Sequence, residues 1–94
     1  MPDGITKLEN SRVRIREVIH RPGERRESYV RETDQVVVFL DTCRYERIDA
    51  DTGESILRYR KAGDVLFHKR GEHAPALVND GTEPYRAIVI EIKS

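Results

Sequence analysis

From Val13 onward the chain alternates apolar and polar residues with a period of two. Val13, Ile15 and Ile19 fall on one side of an extended segment, Arg14, Arg16 and His20 on the other, and Glu17 shares the apolar side. Side chains two apart share a face in a strand, so this pattern predicts one. His20-Arg21-Pro22-Gly23 breaks it, because Pro-Gly is a strong turn former. A long extended run follows from Tyr29 to Leu40. Its end, Val36-Val37-Val38-Phe39-Leu40, is apolar on both faces, as in a strand lying between two layers. Further strands are predicted over Arg44–Ile48, Ile56–Arg60, Val65–His68, Ala76–Val78 and Tyr85–Ile92. In the last of these, Ile88, Ile90 and Ile92 oppose Tyr85, Ala87, Val89 and Glu91. Turns rich in Gly, Asp and Asn separate the segments, the clearest being Asp49-Ala50-Asp51-Thr52-Gly53-Glu54. No helical period appears.

About eight short strands at this spacing predict an all-β sandwich or barrel. The pattern alone does not separate a jelly roll from a five-stranded barrel or a small immunoglobulin-like sandwich. Residues 1–10 are polar, with a Pro and a Gly, and read as a lead-in segment to a single barrel domain over 11–94.

Composition narrows the function. Of 94 residues, 36% are charged and 6% aromatic, which leaves little apolar material for a thick core and makes a homodimer a natural remedy. The Arg-rich strand from Arg12 to Ile19 offers an alternating edge for such pairing. Seventeen basic residues balance seventeen acidic ones, so no net field favours nucleic acid or an anionic membrane. Thirteen of the cations are Arg, the side chain suited to bidentate grip on carboxylates and phosphates. Cys43 is the only cysteine, so an intrachain disulfide and a Cys-x-x-Cys zinc cluster are both excluded. With no apolar run long enough to span a membrane and no signal-peptide pattern, the expected setting is cytoplasmic.

Two spaced frameworks carry a family resemblance. The run from Gly23 to Leu40 resembles the first cupin motif, G-x5-H-x-H-x3-E followed by an apolar strand. Gly23 stands at the glycine, Tyr29 and Arg31 at the two histidines, and Gln35 at the glutamate. The run from Gly63 to Asn79 resembles the second motif, G-x5-P-x-G-x2-H-x3-N, with Gly63, Gly71 and Asn79 at the glycines and the asparagine and one residue inserted. The motif proline is Lys69. The histidine position falls on Ala74 or Pro75, with His73 just short of either. The resemblance covers residues 12–92 and implies a single-domain cupin-type double-stranded β-helix, or jelly-roll barrel.

What it implies about chemistry is a substituted metal site. Cupins hold Mn, Fe, Ni or Zn on two histidines two residues apart, a glutamate on the same face, and a histidine from a neighbouring strand. Here that face carries Tyr29, Arg31, Thr33, Gln35, Val37 and Phe39. Arginine keeps its proton and offers no lone pair, and Gln is a weak ligand. No cofactor is therefore expected at the inherited positions. The alternative is a divalent transition metal held by His68 and His73 with Glu72 or Glu91. Arg31 inside a barrel must find an anion. That anion is either an internal carboxylate such as Glu91 or Asp64, or the carboxylate or phosphate of a small ligand gripped with Tyr29, Gln35, Phe39 and Asn79 around it. Tyr45, Tyr59 and Tyr85 read as core or interface, Cys43 as an inert thiol, and His20 as a loop residue. Three functions fit: a barrel binding a small anionic molecule without metal, a metal-dependent dioxygenase, isomerase or decarboxylase with a rebuilt site, and a non-catalytic dimeric interaction module.

Overall fold

The computed structural model describes residues 3–93. Among them there are eleven strands and no helix, hence no helix long and apolar enough to cross a membrane. A five-stranded antiparallel sheet contains β1 (Asp3–Glu9), β2 (Val13–His20), β11 (Tyr85–Ile92), β5 (Asp34–Phe39) and β8 (Val65–His68), adjacent in that order. A four-stranded sheet contains β3 (Arg25–Arg26), β10 (Ala76–Asn79), β6 (Cys43–Ile48) and β7 (Ser55–Arg60). The short strands β4 (Tyr29–Val30) and β9 (His73–Ala74) pair separately. The larger sheets enclose a cavity between them, lined by side chains from both.

Two expectations change. Residues 1–10 are not merely a lead-in, because Asp3–Glu9 pairs along β2 as a full strand. The register slips between Thr6 and Leu8, so Lys7 is an extra, bulged residue. Ile5 and Leu8 thereby reach the same face although three residues apart, and no period-two pattern announces the strand. In consequence β2 is not a free edge: β1 covers one side and β11 the other.

The second change concerns which face is buried. Registers across the five-stranded sheet align Arg14, Glu91, Gln35 and His68 in one row, then Arg16, Val89, Val37 and Leu66, then Val18, Ala87 and Phe39. These residues line the cavity. The polar alternates of β2 thus point inward, and the apolar ones, Val13, Ile15 and Ile19, point outward. Val36 and Val38, expected beneath a second layer, are half-buried on an outer face that no other described element covers.

The core is small and aromatic. Phe39, Tyr45, Tyr85 and Ala87 are buried together, with Val37, Cys43, Leu66 and Leu77 packed against them. The three rings lie 6.2 Å apart, centroid to centroid, and close one end of the cavity.

Candidate functional site

The cavity has a volume of about 610 Å³, within the range of small-molecule sites. Seven arginines and four glutamates line it, although the whole chain is neutral. The positive surplus is not spread evenly, because five of these arginines divide into two groups.

The first group is neutralised within the protein. Arg14 Nη2 lies 2.8 Å from Glu91 Oε2 and 3.0 Å from Oε1, on neighbouring strands in register. Arg16 Nε lies 2.9 Å from Glu91 Oε1, off the line of a hydrogen bond, so its contact is mainly Coulombic. One carboxylate thus holds two guanidiniums. The hydrogen bond and charge of Glu91 push Arg14 above its ordinary value.

The second group has no such partner. Arg31 is 5% exposed, and its Nε is buried without a hydrogen bond. No ion pair to it exists among the described residues. Both carboxylates expected to meet it are engaged elsewhere: Glu91 with Arg14 and Arg16, and Asp64 with the backbone N–H of Lys61 at 2.8 Å. The position of Arg31 is set by its backbone. Its N–H donates to the Glu72 carbonyl at 3.0 Å, and its carbonyl accepts from the Gly71 N–H at 2.8 Å. Gly71 has φ +86°, a conformation that glycine adopts without strain, so the motif glycine shapes the turn that holds Arg31.

Arg26 lies close to it. Its Nη2 donates to the Pro75 carbonyl at 2.6 Å, its guanidinium sits 5.2 Å from the centre of the Tyr29 ring, and its Nε is buried without a hydrogen bond. Burial pulls Arg26 below its ordinary value, and the Arg31 charge pulls the same way, yet a guanidinium stays cationic. His68 faces this group. Burial is the main cause holding its imidazole below the ordinary value, followed by the charge of Arg31, with Arg26 and Arg47 adding and Glu72 opposing. Arg26, Arg31 and Arg47 all line the cavity with His68, and their charges all act on its imidazole.

The residues singled out in the sequence divide accordingly. Tyr29, Arg31, Gln35 and Phe39 line the cavity, Phe39 as part of its aromatic floor. Asn79 does not. It is 2% exposed, and its Nδ2 donates to the carbonyls of His20 and Glu83, both at 2.9 Å, while its Oδ1 accepts the Gly81 N–H at 2.8 Å. Its side chain is spent on locking a turn.

His68, His73 and Glu91 all border the cavity but do not converge. Gln35 lies between Glu91 and His68 in the row, a separation of about 10 Å at two strand spacings. His73 is exposed on β9, and Glu91 is clasped by arginines. Among the described residues no group of three or more His, Cys, Asp or Glu side chains could hold a metal ion. The donors actually present at the inherited positions are a phenol, a guanidinium and an amide. That set does not fit a cupin-type metal.

Three contributors lay outside the sequence reading. Arg26 belongs to a two-residue strand that carries no periodic signal. Arg47 follows Tyr45 by two on the inward face of β6, an alternation visible in the sequence. His20, read as a loop residue, is instead the 3%-exposed last residue of β2 and faces the cavity with Arg14 and Arg16. Its Nε2 is 2.5 Å from the Glu24 carbonyl, which can only accept, so Nε2 carries the proton. Nδ1 then accepts the Tyr85 O–H at 2.7 Å. Cys43 is half-buried, and burial pushes its thiol up to about 11, so it is unreactive at neutral pH.

No protein-family model matches the sequence, and no curated protein matches it. Solved structures do match. A cupin domain protein from Bordetella pertussis superposes with a TM-score of 0.86 at 20% identity, over 99% of this chain and 94% of that one. A protein from Klebsiella pneumoniae with a double-stranded β-helix domain gives 0.76 at 22% identity, over 98% and 76%. The polyketide cyclase RemF from Streptomyces resistomycificus gives 0.78 at 15% identity, over 99% and 66%. At these identities the likeness establishes the fold: the chain is a small cupin-like domain, a double-stranded β-helix.

Proposed function

We propose that this barrel binds a small organic anion through the Arg26–Arg31–Arg47 cluster, without a metal at the inherited positions. One observation carries the reading: Arg31 is almost wholly buried and no carboxylate of the described chain reaches it. Burying a guanidinium without a counter-charge opposes folding by several kcal/mol, so roughly that much is recovered when an anion enters. A carboxylate or phosphate meets the fork of Arg31 bidentately, and Arg26 and Gln35, which also line the cavity, offer further N–H groups to it. The metalloenzyme alternative lacks a convergent donor set, and a cavity of this size weighs against a role as a packed interaction module alone.

The test is calorimetric titration of the purified protein with acetate and inorganic phosphate, alongside elemental analysis of protein prepared without chelator. Saturable binding that disappears in Arg31→Met is the expected result. Stoichiometric metal, or anion binding unchanged in Arg31→Met, would overturn the proposal.

A further inference from the structure

Resting on the anion-binding reading, we infer that the ligand is amphipathic: an organic acid whose apolar body matters as much as its charge. The two walls of the cavity differ in kind. On the five-stranded sheet the inner face carries an aliphatic band, Val18, Val37, Leu66 and Val89, and the one charged side chain in those rows, Arg16, is already held by Glu91. On the four-stranded sheet the inward positions include Arg26, Arg47 and Arg58, interrupted by Leu77 and Tyr45. Facing sheets lie about 10 Å apart, so one small molecule touches both walls. A bare inorganic anion satisfies the arginines but leaves the aliphatic wall wet. A neutral hydrocarbon dries that wall but leaves Arg31 unpaired. A carboxylate on an aromatic or short aliphatic body satisfies both.

Titration with phenylacetate, hexanoate, acetate, inorganic phosphate and benzyl alcohol separates the possibilities. Phenylacetate and hexanoate should bind roughly tenfold or more tightly than acetate, by the apolar area they remove from water. Val37→Ser should weaken them several-fold while leaving phosphate unchanged. If acetate and phosphate bind as tightly as phenylacetate, the amphipathic assignment fails while the anion reading stands. If benzyl alcohol binds as tightly as phenylacetate, or no acid binds, the anion reading itself fails.

Discussion

The two arginine groups of the cavity sit within one barrel yet obey different balances. At the Glu91 end, one carboxylate in register with Arg14 answers the charge of both Arg14 and Arg16. At the Arg31 end, the charges of Arg26, Arg31 and Arg47 all act on His68, and no carboxylate pairs with Arg31 among the described residues. The first arrangement has its counter-charge without a ligand, although Arg16 Nε also lacks a hydrogen bond. The second has no counter-charge, and an unfinished electrostatic balance in a cavity is the physical signature of a binding site. The comparison also separates arginine as a structural residue from arginine as a receptor, which residue type alone does not do.

Arg31→Met breaks the comparison most sharply. Removing the uncompensated charge should abolish anion binding, a loss on the order of a hundredfold or more. In the same variant the unliganded protein should become more stable by about 1–3 kcal/mol, because a buried unpaired charge is replaced by an apolar side chain of similar length. Thermal denaturation with and without phosphate reads both. A variant that loses stability and keeps the phosphate-induced shift would show that Arg31 is paired internally after all.

Glu91→Gln probes the other group, with the opposite outcome. It leaves two guanidiniums without a counter-ion, but Arg14 and Arg16 keep more than a third of their side chains in water, which softens the penalty. A loss of about 1–2 kcal/mol in chemical denaturation is expected. Because the variant adds net positive charge to the cavity, anion affinity should hold or rise.

Much of this was legible in the chain, and the illegible parts have identifiable causes. The alternation from Tyr29 to Phe39, read with the motif, placed the inward side chains, and that from Tyr85 to Glu91 separated the two faces of β11, since period two leaves no freedom once a strand is granted. It could not say that the apolar alternates of β2 face outward, because a strand pattern defines two faces without saying which one meets the cavity. β1 was hidden by the bulge at Lys7, which destroys the period that would reveal it. The pairing of Arg14 and Arg16 with Glu91 joins residues at opposite ends of the chain, and only the antiparallel register of β2 and β11 decides it. Asn79 looked like a ligand because the motif places it beside one, and its amide proved to be saturated by backbone groups of its own turn and of His20 at the end of β2.

A pH effect sharpens the contrast further. His20 and His68 are both held below their ordinary value of 6.5 in the folded chain, chiefly by burial. Each therefore binds fewer protons folded than unfolded once the pH drops toward and below 6.5, so the unliganded protein should lose stability on acidification through that value. An anion beside Arg31 offsets the cationic field at His68 and raises its affinity for a proton. Anion affinity should accordingly increase, by a few-fold, as pH falls from 8 toward 6. Proton NMR titration of the His68 imidazole, with and without phosphate, checks the coupling. An identical titration in both samples would place the anion elsewhere.

The smallest expected effect tests whether polar groups in the cavity wall can be structural. Tyr85 gives its O–H to His20 Nδ1 at 2.7 Å, and His20 gives its Nε2 proton to the Glu24 carbonyl at 2.5 Å, so the pair is satisfied without a ligand. Tyr85→Phe removes the donor and leaves Nδ1 buried. The tautomer cannot switch to compensate, because the Glu24 carbonyl still needs the Nε2 proton. The loss should be about 1 kcal/mol, or roughly 4–8 °C in midpoint for a domain of this size. Anion affinity should not move, since the aromatic ring stays in the Phe39–Tyr45 cluster and no charge changes. A Tyr85→Phe variant with native stability but weakened anion binding would instead place this hydroxyl among the ligand's contacts, and extend the receptor from the arginine cluster to the floor of the barrel.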